Sequence, residues 1–398
     1  MTTGRKTVKT VTGFILAGIL LCSFGTAMAA NRDVARRIHD RLVGTPPPAA
    51  LLDQMEAMVA AGNANGAAQL AIDQAGNTGF YNSTLKNFFA TYTNPDGSVY
   101  VPLNDATATM IGMVRDNVPF DRVLYGDVLY TGGNAVATPY AIDSNQHYQE
   151  LENNGLDLKA TLVSGSQALL HPMLGVNDVA GVVTTRAFAE SYFSAGTNRR
   201  MLAYVFENFL CRSLEEINDI TRTPDRIRQD VSRAPGGDSG IYLGSCVGCH
   251  AGMDPLAGAY AYYEWDEQLG QLVFDNSQPQ PKNLINNTVF PGGYVTTDNS
   301  WINYWRRGPN SVLGWNQTMP DRGMGAQSMG RELAASRAFA ECQTEKVYEA
   351  VCLRKPKNGT ERMMVQTLAD NFIANGYNMK TLFGDAAAYC ATQDVGGL

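Results

Sequence analysis

The pentapeptide "CVGCH" at residues 246–250 constrains this chain more than any other feature. It places Cys246, Cys249 and His250 within five positions of a 398-residue sequence that has only 7 cysteines and 4 histidines. With residues this scarce, such a cluster would arise by chance roughly once in a thousand shuffled sequences. We therefore expect the three side chains to act together in one chemical site.

The spacing favours covalent attachment of a haem. In a C-x-x-C-H segment, one helical turn carries two sulfurs that form thioether bonds to the porphyrin, and the next residue supplies an imidazole to the iron. The sequence predicts one haem c, held by Cys246 and Cys249, with His250 as the proximal iron ligand. A zinc site or a redox-active thiol pair remains an alternative. Zinc, however, requires further Cys or His ligands at close spacing, and a thioredoxin-like pair requires a βαβ context.

The second axial ligand is less constrained. Met319, in the segment "NQTMPDRGMG", is predicted to be the distal iron ligand, because a loop containing Met-Pro resembles the distal loop of small class I cytochromes c. His39, His147, His171, other methionines and an open sixth position remain alternatives. Met253 lies three residues after His250 on the same side of the ring, so its predicted role is packing.

Cationic side chains precede the motif. Buried haem propionates need cationic or polar partners, and "RIRQDVSR" supplies Arg226, Arg228 and Arg233 as possible propionate contacts. Ordinary solvated surface arginines are the alternative.

The amino-terminal segment reads as a secretion signal. Arg5, Lys6 and Lys9 precede the apolar stretch "VTGFILAGILLCSFG", and "AMAA" offers a cleavage site after Ala29. A lipoprotein anchored at Cys22 is the less favoured alternative. No later stretch approaches 18 consecutive apolar residues, so we expect no transmembrane segment after signal cleavage. The prediction is export to the periplasm, the cell surface or the extracellular space.

The charge of the chain restricts its partners. The whole sequence carries −7, and the predicted signal contributes three positive charges and no acid, which leaves −10 on the exported part. An acidic surface argues against nucleic acid as a partner and suits a redox partner protein with a basic docking surface. An oligomer or polymer is also compatible with the sequence.

Six cysteines follow the predicted signal, and export places them in an oxidising compartment. If the haem takes two of them, the other four can form two disulfides in three possible ways. Cys342 and Cys352 lie in one helical pattern and would be about 15 Å apart, too far for a bond. The favoured pairs are Cys211–Cys342 and Cys352–Cys390, with free buried thiols as the alternative.

Apolar residues recur at helical spacing along most of the chain, which predicts a mainly α, multi-helix protein. The predicted domains are an N-terminal helical domain over 30–160 and a cytochrome-c-like haem domain over 161–398. A long, irregular, aromatic-rich loop is expected near 270–323, followed by helices over 327–353 and 360–375 and a short tail. Gly252 is expected to end the ligand helix, with Asp254 capping the next helix and Pro255 at its first position.

Four segments occur in an order that resembles bacterial secreted cytochrome-c-like proteins related to the cytochrome-containing domains of unknown function in planctomycete-type proteins. They are "RDNVPFDRVLYGDVLY", "GVVTTRAFAESYFSAGTNRR", "CVGCHAGMDPLAGAYAYYEWDE" and "LAASRAFAECQTEKVYEAVCLRKP". The resemblance implies an exported monohaem protein. Single-electron transfer is the expected function, and the alternatives are a haem enzyme with an open sixth iron position or a haem-bearing subunit of a cell-surface assembly.

Overall fold

The computed structural model describes residues 30–193 and 196–393. The predicted signal peptide, residues 1–29, therefore lies outside the described residues. The protein is mainly helical, with 56% of its residues in helices and 16 α-helices among the described residues. The β-structure within this part of the chain consists of three two-stranded antiparallel ribbons. The expected mainly α class is confirmed.

The α-helices are distributed over the whole described chain. Those of the first half are α1 (30–43), α2 (Ala49–Ala60), α3 (Ala64–Asp73), α4 (Lys86–Ala90), α5 (Asp105–Arg115), α6 (Gln146–Asn153), α7 (Leu158–Thr161), α8 (Gln167–Leu170) and α9 (Arg186–Tyr192). Those of the second half are α10 (Arg199–Leu210), α11 (Ser239–Ile241), α12 (Val247–Ala257), α13 (Gly325–Ala334), α14 (Arg337–Cys352), α15 (Gly359–Ala374) and α16 (Met379–Gln393). Two π-helical turns, Phe80–Leu85 and Tyr242–Cys246, lead directly into α4 and α12.

The three ribbons are short. They pair β1 (Leu129–Thr131) with β2 (Val163–Gly165), β3 (Tyr263–Asp266) with β4 (Gln271–Phe274), and β5 (Ser300–Ile302) with β6 (Arg322–Met324). In register, Tyr130 lies opposite Ser164, Trp265 opposite Leu272 and Trp301 opposite Gly323.

One large cluster of buried apolar side chains extends from Val34 in α1 to Ala391 in α16. Within it, α3 packs on α2 and α16, α14 packs on α15, α16 and α10, and α10 packs on α12. The cluster contains residues from both 30–160 and 161–398, and the division into two domains stays a prediction. The helix that carries the 246–250 motif is thus connected through α10 to the rest of the core.

The C-terminal region departs from the sequence-based expectation in two places. The helical pattern over 327–353 is two helices, because Ser336 interrupts it and its side chain caps α14 by accepting a hydrogen bond from the N–H of Phe339. The expected short tail is the 15-residue helix α16. Its alanine-rich stretch buries Leu382, Phe383 and small neighbours, and the apolar face is too mixed to be recognised from spacing alone.

The structure joins Cys211 to Cys342 and Cys352 to Cys390, which is the pairing that the sequence analysis favoured. The first bond links the C-terminal end of α10 to α14, and the second links the last residue of α14 to α16. Cys342 and Cys352 lie on the same helix, as expected, and each reaches a different partner helix.

Between α12 and α13 the chain has no α-helix, so the expected irregular stretch is present, although four of the six short strands and several 3₁₀ turns lie in it. Its tryptophans are packing residues: Trp301, Trp305 and Trp315 are all buried in the main apolar cluster.

Candidate functional site

The motif 246–250 spans the start of α12. The π-helical turn Tyr242–Cys246 places Cys246 at the N-terminal end of α12, and Cys249 follows within its first turn. Both thiols are half-buried, and they are the free cysteines of the described chain. The Cys249 Sγ donates to the carbonyl oxygen of Leu214 at 3.4 Å. Burial raises the pKa of Cys249, and the negative charge of Glu215 adds to this effect.

The imidazole of His250 is held by a carboxylate one helical turn later. Its Nδ1 lies 3.0 Å from Oδ1 of Asp254, and it has no other protein partner among the described residues. With the Nδ1 proton donated to Asp254, the Nε2 lone pair is available to an iron or another metal. The His250 side chain is 21% exposed, whereas the Asp254 carboxylate is fully buried.

Asp254 belongs to a buried ion-pair network. The guanidinium of Arg199 binds it at 2.7 Å and also binds Asp230 at 2.7 Å, and the backbone N–H of Arg228 donates to its second oxygen at 3.2 Å. Burial alone would raise the pKa of Asp254, but Arg199 and the hydrogen bond from His250 outweigh burial and hold it well below its ordinary value. The carboxylate is therefore ionised and fixed beside His250.

Sequence reasoning missed this network and misassigned the residues after the motif. The expectation that Gly252 ends the ligand helix and Asp254 and Pro255 start the next one is wrong, because α12 runs unbroken from Val247 to Ala257. Gly252 instead allows close packing, since a Cβ there would lie 2.2 Å from the Trp305 ring. The four-residue spacing from His250 to Asp254 was the signal that could have revealed their contact.

The other three histidines form hydrogen bonds within the fold through both ring nitrogens. All are buried, and each has both ring nitrogens hydrogen-bonded. The partners are Thr45 O and Asn77 Nδ2 for His39, Thr138 O and the N–H of Gly132 for His147, and Leu272 O and the N–H of Met173 for His171. These bonds leave no ring nitrogen for iron and speak against the three histidines as distal ligands.

The two methionines considered have different environments. Met253 is buried in the main apolar cluster, in agreement with its predicted packing role. Met319 is half-buried in a turn where its N–H donates to the carbonyl oxygen of Asn316 at 3.2 Å. Its assignment as distal ligand stays a prediction.

The three candidate propionate partners have protein contacts of their own. Arg226 donates to the hydroxyl of Tyr294, and Arg228 is buried with its guanidinium on Asn283. Arg233 donates to two backbone carbonyls and lies over the Tyr242 ring, 5.1 Å from its centroid. Tyr242 precedes Cys246 by four residues and packs with it in a small apolar cluster. Arg233 therefore has a guanidinium connected to the motif through Tyr242, whereas Arg228 is connected to it through the hydrogen bond from its backbone N–H to Asp254.

Exposed apolar side chains surround the motif. Ile220, Ile241 and Leu243 are 69%, 46% and 62% exposed, and exposed apolar surface of this kind can be covered by another apolar body. Ile220 lies beside Gly248, and Ile241 and Leu243 stand just before Cys246. Two free thiols, an imidazole with a free Nε2 and apolar neighbours are the groups that a covalently attached haem requires, so the residues present fit this cofactor.

Among the described residues, no group of three or more His, Cys, Asp or Glu side chains is arranged to hold a metal ion. A haem iron requires fewer protein ligands than such a group, because the porphyrin supplies four nitrogens.

No helix in residues 30–193 and 196–393 has the length and apolar character needed to cross a membrane. No protein family, curated protein or solved structure matches this chain.

Proposed function

We propose that this protein is an exported monohaem c-type cytochrome that carries single electrons, as its resemblance to bacterial secreted cytochrome-c-like proteins also suggests. The observation that carries the proposal is that the cysteines and the histidine of the motif are free to bind a cofactor, whereas the other cysteines and histidines already have protein partners. Four cysteines form two disulfides, whereas Cys246 and Cys249 remain free beside His250, and the other three histidines have no free ring nitrogen.

In this proposal each residue of the site has one role. Cys246 and Cys249 form the thioether bonds, and His250 Nε2 is the proximal ligand. Asp254 accepts the hydrogen bond from the Nδ1–H, which fixes the tautomer and the orientation of the imidazole, and Arg199 keeps the Asp254 carboxylate in place. When bound, haem c supplies a reversible one-electron couple.

The proposal also assigns the distal iron ligand, a partner for a haem propionate and residues that cover the ring. Met319 is the distal ligand, Arg233 is the best placed of the three arginines for a propionate, and Ile220 and Leu243 cover part of the ring. Arg228 is a poorer partner for a propionate, because its guanidinium is already bound to Asn283 in the protein interior. The excess of acidic residues suits docking to a redox partner with a basic surface outside the cytoplasm.

A haem enzyme with an open sixth iron position is the second candidate, and the bond between His250 and Asp254 favours it. A carboxylate that accepts the hydrogen bond from the Nδ1–H makes the imidazole a more basic ligand than a backbone carbonyl would. An electron carrier gives a low-spin, six-coordinate ferric spectrum. A high-spin ferric spectrum with rapid cyanide binding assigns the protein to the enzyme class instead.

Haem staining after denaturing gel electrophoresis tests covalent attachment. The chain is expressed with and without a cytochrome c maturation apparatus, and we expect a stained band only with it. The Cys246→Ala/Cys249→Ala variant should lose the stain. The Cys352→Ala/Cys390→Ala variant, which also removes two cysteines, should keep it, because attachment needs only the motif. An unstained wild-type band overturns the proposal.

A further inference from the structure

A cavity of about 730 Å³ lies between three helical segments, and none of its lining residues belongs to the 246–250 motif. The segments are α1, the stretch 84–91 around α4, and α14 with the residue that follows it. Each contributes residues at i, i+3, i+4 and i+7, so one face of each segment lines the cavity. The volume is within the range of about 300–1,000 Å³ typical of small-molecule sites.

Two cations at this cavity are incompletely satisfied by the protein. Arg37 lines it, and its Nη1 atom is buried with no hydrogen-bond partner among the described residues. The ammonium of Lys346 lies over the Tyr92 ring, 4.2 Å from the centroid, and makes no direct ion pair with the described residues, although the charges of Glu349 and Glu207 act on it from nearby. Burial lowers the pKa of Lys346 to about 8. Buried donors and charges of this kind are costly unless something satisfies them.

The rest of the lining leaves a positive excess beside apolar groups. Arg41 adds a third cation, and the two acidic residues at the cavity are Asp40 and Glu349. Glu349 pairs with Lys355 at 3.6 Å, so part of its charge is already compensated. Phe88, Ala350 and the exposed Leu353 supply apolar surface at the same cavity.

We propose that this cavity binds an organic anion with one acidic headgroup and an apolar body. The headgroup is held by Arg37 and Lys346, and the body lies on Phe88 and Leu353. The anion supplies the partner that the Arg37 Nη1 lacks and the direct ion pair that the Lys346 ammonium does not make with Glu349 or Glu207. This site is independent of haem attachment, and either proposal can fail without the other.

Calorimetric titration of the purified exported protein with octanoate, and with the uncharged octanamide as the comparison, tests the site. We expect octanoate to bind about tenfold more tightly than octanamide, since the charged headgroup gains hydrogen bonds that the amide makes less well. Equal affinities, or no heat of binding at millimolar octanoate, overturn the proposal.

Two variants and two matched controls assign the headgroup. Arg37→Gln and Lys346→Met should each weaken octanoate binding about tenfold and leave octanamide binding little changed. Arg36→Gln alters an exposed arginine next to Arg37, and Lys357→Met alters an exposed lysine near the end of α14. Both controls should bind octanoate as the wild type does. Wild-type affinity in Arg37→Gln and Lys346→Met overturns the proposal.

A measurement on the wild type alone avoids any effect of substitution on folding. Octanoate affinity should fall several-fold between pH 7 and pH 9.5, because Lys346 loses its proton near pH 8 while octanoate stays charged. The other groups that surround Lys346 are Arg37, Asp40, Arg41, Tyr92, Glu207 and Glu349, and burial raises the pKa of the Tyr92 hydroxyl further above this interval. An affinity that is constant over this interval contradicts the proposal.

Discussion

Nδ1 of His250 lies 3.0 Å from the buried carboxylate of Asp254, one turn further along the same helix. This contact fixes which imidazole nitrogen faces outward, and it ties the motif to Arg199 in α10 and to Asp230 beyond it. The orientation of the proposed iron ligand therefore depends on a buried ion-pair network as well as on the helix that carries it.

On the proposed function, the Asp254→Asn variant should raise the midpoint potential of the haem by roughly 40 mV. The amide oxygen accepts the hydrogen bond from the Nδ1–H about 1 kcal/mol more weakly than the carboxylate does, and the oxidised iron loses the nearby negative charge. Potentiometric titration followed by absorbance measures the shift. The control is Asp230→Asn, which also removes a partner of Arg199 but leaves the His250 contact intact. Equal potentials in the two variants would show that Asp254 does not tune the iron.

If Met319 is the distal ligand as proposed, Met319→Leu should convert a low-spin ferric spectrum into a high-spin one and make cyanide binding fast, because leucine keeps the apolar volume and removes the thioether sulfur. Absorbance spectra and stopped-flow cyanide binding provide the readout. The matched variant Met253→Leu should leave both unchanged, since Met253 is buried in the core. A low-spin spectrum retained in Met319→Leu rules Met319 out as the distal ligand.

Gly252→Ala should lower the free energy of unfolding by about 1–3 kcal/mol, because the new Cβ meets the ring of Trp305 at 2.2 Å inside a packed core. Gly359→Ala, at the exposed start of α15, has nothing within 4 Å of the added methyl and should be neutral or slightly stabilising. Urea unfolding monitored by circular dichroism compares the two. A neutral Gly252→Ala would mean that Trp305 can move away from α12.

Loss of the Cys211–Cys342 disulfide should destabilise the protein more than loss of Cys352–Cys390. The bonds close loops of 131 and 38 residues, and the chain-entropy relation gives the longer loop an advantage of about 1 kcal/mol. Paired Cys→Ala variants of each bond, unfolded in urea, give the two differences. A larger loss for the shorter loop would show that local packing around α16 outweighs the entropy of closing the longer loop.

Lys346→Met should have a larger free energy of unfolding than the wild type at pH 7. This difference in stability should shrink as the pH rises above about 8. The folded-state pKa of Lys346 lies below the ordinary value of 10.5, so the folded state opposes protonation. Between the two pKa values the unfolded chain binds the proton and the folded chain does not, and wild-type stability rises with pH relative to the variant. Unfolding of both proteins at pH 7 and pH 10 measures the gap, and a constant gap contradicts the assignment.

Much of the helical structure could be predicted because local spacing specifies it. The apolar face of α2, with Leu51, Leu52 and Met55 buried, is one example. The cysteine pairing was also accessible, since the helical separation of Cys342 and Cys352 excludes a bond between them. The errors came from residues whose roles depend on distant partners. Gly252 does not end the helix as its sequence context predicts. It leaves room for the Trp305 ring, which lies 53 positions further along the sequence.

In the candidate site, too, local spacing reveals some residues, whereas contacts between distant residues could not be predicted. Cys246, Cys249 and His250 stand out by spacing alone, whereas Arg199 is 55 residues from the carboxylate that it binds. The hydrogen bond from His171 to the carbonyl of Leu272 spans 101 residues and could not be read from sequence. Such long-range contacts require the packed fold.

The Cys211–Cys342 bond encloses residues 246–250 within the loop that it closes. If the protein is exported as proposed, all six cysteines that follow the predicted signal meet the same oxidants, and Cys246 is much closer along the chain to Cys211 than Cys342 is. A premature Cys211–Cys246 bond is therefore the kinetically easier product, because shorter loops close at a lower entropic cost. On the proposed function, the order of biogenesis determines the yield of mature protein: haem ligation that precedes oxidation removes Cys246 and Cys249 as competitors and leaves the four remaining thiols to pair correctly.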